Sequence, residues 1–144
     1  MQRRWLALTL LLPGCSQAAR VPHDVPVALG SEDGPQVQIV LPLGEYRVAG
    51  VDGAPVNLTH AITVSVSEDT IAVVSQCVTP RWNYTYQEGR LTTQPIIEAM
   101  CKRGREPAEV AVEAVFDQPE AVLRTPENGI YLAGGGHDLT LFSQ

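Results

Sequence analysis

From Leu41 to the C-terminus, apolar and polar residues alternate in short runs, the period of strands that bury one face. In Gly44–Val51, Tyr46 and Val48 share one side and Arg47 takes the other. Ile62–Ser67 alternates without a break before Glu68-Asp69 turns the chain. Residues 71–78 are denser in β-branched side chains and are expected to be more fully buried. Trp82, Tyr84 and Tyr86 fall on one face of the next strand, and Glu88-Gly89 leads into Arg90–Thr93. Residues 105–117 then change period: Ala108, Ala111, Val112 and Val115 form a helical stripe, with Pro107 suited to the first turn. Glu106, Glu109, Glu113 and Asp117 are expected on its solvated side, and Pro119 ends it. Ala121–Thr125, Gly129–Ala133 and Leu139–Phe142 read as three further strands, separated by turns at Asn128-Gly129 and Gly134-Gly135-Gly136. The pattern predicts a mainly β fold: a small antiparallel, barrel-like curled sheet of about eight strands, with one helix inserted late.

The N-terminal third follows no such period. Arg3 and Arg4 precede an apolar run from Trp5 to Leu12, interrupted by Thr9, which is the layout of a secretory signal. That run is too short for a bilayer-spanning helix, which needs about 20 apolar residues. Leu12-Pro13-Gly14-Cys15 resembles the bacterial lipobox. The resemblance implies cleavage before Cys15 and lipid on its sulfur and amino group, with the membrane as partner; two or more acyl chains make attachment durable. Ser16, being no Asp, then points to the outer membrane, facing the periplasm. Ordinary signal cleavage after Ala18 or Ala19 is the alternative. Residues 1–14 are thus expected as signal peptide, 15–36 as a breaker-rich tether and 37–144 as the folded domain, whose first strand can begin at Val37–Val40.

Composition narrows the picture. A hydrophobic share of 44% excludes wholesale disorder, and 12 Gly with 11 Pro argue against a helical bundle. A net charge of −6 disfavours any nucleic-acid partner. Of three cysteines, Cys15 would be consumed by lipid, leaving Cys77 and Cys101 free to pair in an oxidising periplasm. A disulfide closing that loop would stabilise the fold by about 3.5 kcal/mol; two buried free thiols are the alternative. No Cys or His spacing suggests zinc, so no metal or cofactor is expected.

The order of motifs over roughly residues 41–144 resembles a META domain of the HslJ type. Val51-Asp52-Gly53-Ala54-Pro55-Val56 matches its opening turn, Cys77 the cysteine closing a central strand, and Trp82–Leu91 its aromatic-rich hairpin. Cys101 matches a second cysteine ahead of the helix, while Asn128–Leu132 and Asp138–Phe142 match the closing strands. Members usually carry Gly-Cys-Asn at the first cysteine, where this chain reads Gln76-Cys77-Val78. The family has no established catalytic residues and is linked with envelope stress. The resemblance therefore implies a non-enzymatic structural or binding role with an unknown protein or small-molecule partner.

Other candidate chemistry is sparse. Gly134-Gly135-Gly136 has no helix after it to hold a phosphate, so a hairpin loop is expected. His23, His60 and His137 are scattered, and no Gly-x-Ser-x-Gly motif supports a nucleophile. Asp138 beside His137, and Asp69 beside Glu68, read as solvated turns rather than cation sites. Trp82, Tyr84 and Tyr86 are expected either as core, packed with Tyr46 and Phe142, or as a ligand-facing surface at the barrel mouth. Two further functions fit an acidic barrel: inhibition of a basic host protein such as lysozyme, and carriage of a small hydrophobic ligand.

Overall fold

Period-two alternation builds one antiparallel sheet in the computed structural model, which describes residues 37–76, 78–96 and 102–144. Its strands are β1 (Gly44–Val51), β2 (Ala54–Pro55), β3 (Thr63–Val66), β4 (Thr70–Val74), β5 (Arg81–Gln87) and β6 (Arg90–Ile96). Helix α1 (Pro107–Asp117) follows, then β7 (Pro119–Arg124), β8 (Ile130–Gly134) and β9 (His137–Ser143). The spatial order is β6-β5-β4-β3-β1-β9-β8-β7, with β2 a short addition to β1. The end strands β6 and β7 lie against each other, so the eight-stranded sheet curls into a nearly closed barrel.

Three two-residue hairpin turns set the register. Asp52-Gly53, Glu88-Gly89 and Gly135-Gly136 each place both residues at positive φ, the twist that matches right-handed strands. Each strand then points every second residue inward: Tyr46 and Val48, Val64 and Val66, Ile71 and Val73, Leu139 and Leu141. Into the space they enclose, α1 presses Val112, Val115 and Phe116, all 0% exposed. Residues 37–41 run beside β7 near the seam, Ile39 N–H donating to the Val122 carbonyl at 3.0 Å, and bury Leu41.

Three expectations need correction. Residues 71–78 are not buried throughout: Ala72 is half-buried and Val74 is 43% exposed, because an antiparallel sheet leaves one face to solvent. Moreover β4 stops at Val74, and Ser75 and Val78 exchange backbone hydrogen bonds across a tight turn. Phe142 is no core partner of Trp82. It pairs with Arg47 while Leu141 takes the inward position, so its ring packs outside, over Gly129. Finally, the helix acids are not a uniformly solvated face, since Glu109 is 2% exposed. No helix among the described residues is long and apolar enough to cross a membrane.

Candidate functional site

The aromatic positions on β5 divide by depth. Trp82 is fully buried, its ring 5.3 Å from that of Phe116, and its indole N–H donates to Asp117 Oδ1 at 2.7 Å. A carboxylate in the last turn of a helix opposes the helix dipole; the indole N–H supplies its partner. Tyr84 and Tyr86 are half-buried, meet edge to face at 6.1 Å, and use their hydroxyls within the fold. Tyr84 donates to the Ser67 carbonyl at 2.5 Å, and Tyr86 Oη accepts the Leu41 N–H at 2.6 Å. Burial raises the Tyr86 phenol above its ordinary value. All three phenol and indole groups are therefore committed to holding β5 against its neighbours.

The strongest electrostatic feature lies at the other end of α1. Glu109, in the first turn, receives Arg103 Nη1 at 3.1 Å and Nη2 at 2.5 Å, one on each oxygen. The Glu106 N–H reaches Glu109 Oε2 at 2.8 Å, which satisfies one of the orphan donors at the helix start. Arg103 also donates to the Ser75 carbonyl at 3.3 Å, and His60 Nε2 stands 3.5 Å from Glu109 Oε1. Burial works to raise the Glu109 carboxyl, but Arg103, Ser75 and the Glu106 amide outweigh it and hold the group at about 2. A carboxylate so held is ionised at neutral pH and a poor proton acceptor. The cluster ties the Ser75 turn and the approach to α1 to one buried charge, with the His60 ring beside it.

Helical period and charge alone assign Glu109 to the solvated side, whereas its partners bury it. The signal that could have found it is the spacing Glu106-x-x-Glu109, a capping arrangement, with Arg103 three residues earlier. A second pairing joins two turns far apart in sequence. Asp52 Oδ2 lies 2.9 Å from His137 Nδ1, and its Oδ1 accepts the Asp138 N–H at 3.0 Å, tying the β1–β2 and β8–β9 turns together. The His137 hydrogen bond, with the Asp138 amide, lowers the Asp52 carboxyl below its usual range.

The glycine run is a packing device. A Cβ on Gly134 would lie 2.3 Å from the Gln118 carbonyl oxygen, and one on Gly135 2.3 Å from that of Ala114. Gly135 N–H donates to the Gln118 carbonyl at 3.1 Å. The run thus meets the negative end of α1, where no phosphate would sit. Among the described residues, no group of three or more His, Cys, Asp or Glu is placed to hold a metal ion. Cys15, Cys77 and Cys101 lie outside the described residues, as does His23.

No protein-family model and no curated protein matches the chain. Among solved structures, an NMR structure of a protein from Burkholderia xenovorans is similar over 77% of this chain and 97% of its own. The identity is 16% and the TM-score 0.45.

Proposed function

We propose that the chain is a lipid-anchored protein of the bacterial cell envelope whose META/HslJ-like domain acts without catalysis, through contacts on its outer surface. In this reading Cys15 carries the lipid, residues 15–36 hold the domain clear of the outer membrane on its periplasmic side, and Cys77 pairs with Cys101. One observation carries the surface role: the barrel is filled by its own side chains. Val112, Val115 and Phe116 of α1 meet Leu132, Leu139 and Leu141 of the sheet, and all six are 0% exposed. A filled barrel speaks against carriage of a ligand inside the sheet. The commitment of Glu109 to Arg103 and to the helix start points the same way, since that carboxylate serves the fold.

The test is fractionation of a Gram-negative host expressing the full chain, fed an alkyne-bearing palmitate. The wild type should partition with membranes and take the label, and Cys15→Ala should release it, unlabelled, into the soluble envelope fraction. Membrane retention of the alanine variant would overturn the anchor. Uptake of a defined small molecule by the purified domain would overturn the surface role.

A further inference from the structure

The turn that joins β7 to β8 contains a chemically labile pair of residues. An asparagine side chain closes onto the next backbone nitrogen most readily when glycine follows, because no side chain shields that nitrogen. The chain has three Asn, and only Asn128 precedes Gly; Leu58 follows Asn57 and Tyr84 follows Asn83. The fold demands both members of the pair. Asn128 holds φ 62°, a left-handed conformation that Asn adopts more easily than most residues. Gly129 is buried, and a Cβ on it would lie 2.9 Å from Phe142 Cε1 and 3.0 Å from the Leu141 carbonyl oxygen. A bulkier successor to Asn128, which would slow the closure, has no room.

Closure needs the Gly129 nitrogen as nucleophile and Asn128 Cγ as electrophile. The nitrogen is engaged, its N–H donating to Thr125 Oγ1 at 3.0 Å. Thr125 is itself pinned: its N–H donates to the Gly129 carbonyl, and its carbonyl accepts the Asn128 N–H, both at 3.0 Å. Asn128 is exposed, and its Oδ1 accepts Arg124 Nη1 at 3.1 Å. The electrophile thus stands at the surface with a cation on its oxygen, while the nucleophile is held inside the turn. An amide nitrogen attacks only after losing its proton, and a proton already donated within the fold is out of reach of hydroxide until the turn opens.

We propose that Asn128 is a self-modification site gated by Thr125: the closed turn withholds the Gly129 nitrogen, and opening of the β7–β8 hairpin lets Asn128 pass to aspartate or isoaspartate. In the opened turn hydroxide removes the Gly129 amide proton, and the nitrogen attacks Asn128 Cγ. The new C–N bond forms, the Cγ–Nδ2 bond breaks, and ammonia leaves after taking a proton from water, which regenerates hydroxide. Water then opens the cyclic imide at either carbonyl. In sum one water is consumed and one ammonia released, with no change of oxidation state. The aspartyl product keeps the backbone and sets a carboxylate where Arg124 now meets the amide oxygen. The isoaspartyl product adds a carbon to the main chain beside the crowded seat of Gly129, so it no longer closes the turn. The site exists whether or not Cys15 carries lipid.

The test follows the full chain at mildly alkaline pH by mass spectrometry of the fragment that trypsin releases after Arg124, in which replacement of NH by O marks conversion. The wild type should convert more slowly than a free peptide of residues 124–131, by on the order of tenfold or more. Thr125→Val removes the hydroxyl and leaves both backbone bonds of the turn, so it should quicken conversion several-fold; Thr125→Ser should keep the wild-type rate. Hydrogen exchange at the Gly129 amide begins with loss of the same proton and should quicken in Thr125→Val by a similar factor. Should Thr125→Val fail to melt cooperatively, the wild type in urea below its unfolding midpoint supplies the comparison: conversion and Gly129 exchange should rise together. Conversion of the wild type at the peptide's rate would overturn the gate, as would an unchanged rate in folded Thr125→Val. Conversion that rises in urea without faster Gly129 exchange would do the same. A mass gain that survives Asn128→Asp would place the reaction elsewhere and overturn the site.

Discussion

Removing the Glu109 carboxylate by Glu109→Ala strikes three groups at once. Arg103 loses both oxygens of its carboxylate partner, the Glu106 N–H loses its acceptor, and the first turn of α1 loses a buried negative charge. Breaking a buried ion pair from one side costs about 3–5 kcal/mol. Arg103 is 27% exposed and recovers part of its hydration, which brings the figure toward the lower end, about 2–3 kcal/mol. For a domain of this size that is a fall of roughly 10–15 °C in Tm, read by circular dichroism at neutral pH. The control is Arg103→Met with Glu109→Met, which removes both charges and keeps the volume. If the pair matters because an orphaned charge is costly, the double variant should recover most of the loss. A fall under about 1 kcal/mol in Glu109→Ala would refute the reasoning.

The same group sets a pH dependence. Folding lowers the Glu109 carboxyl from an ordinary 4.5 to about 2. A group whose pKa falls on folding adds stability that is complete above its unfolded value and disappears as pH drops through its folded value. The wild type should therefore lose stability between about pH 4.5 and pH 2, and Glu109→Gln should show a flatter profile across that window. Parallel profiles would mean that other carboxylates carry the acid sensitivity.

Two further predictions concern backbone. Gln76 holds φ 54° in the turn that Ser75 and Val78 close, so Gln76→Gly should raise stability by about 0.5–1 kcal/mol in urea unfolding, and a decrease would refute the strain. Gly135→Ala adds a Cβ 2.3 Å from a helix carbonyl at φ 57°, which should cost about 2–4 kcal/mol, whereas Gly136→Ala, with open space around it, should pay only for its positive φ. Equal losses at the two glycines would refute the close approach to α1.

Most of the strand plan was legible because one physical rule, burial of alternate residues, acts within a few residues of sequence. The alternation over Gly44–Val51 coincides with β1, since its inward Tyr46 and Val48 flank an outward Arg47. The errors arose where the partner across the sheet decided the outcome. Phe142 reads as core by composition, yet register with Arg47 turns it outward. Val74 belongs to an apolar run, yet it lies at the end of β4 where the next residues turn. Alternation states that one side is buried; which residue ends the alternation is fixed by neighbours that sequence does not name.

The polar contacts follow a different rule. Glu109 sits among acids on a helix, and period alone assigns it to water. What buries it is Arg103, which lies six residues away across the helix start, together with Ser75 and His60 from distant loops. Its i, i+3 relation to Glu106 was local and readable; the convergence of three separate segments on it was not. Asp52 and His137 show the same division. Asp52 lies in a hairpin turn and His137 directly after one, both turns that dipeptide chemistry foretells, but their approach to 2.9 Å exists only because β1 and β9, the first and last long strands, pair side by side. Local chemistry therefore fixes the turns, and sheet closure decides which turns meet. On such a molecule, the contacts that bring together residues far apart in sequence are the first that substitutions should probe.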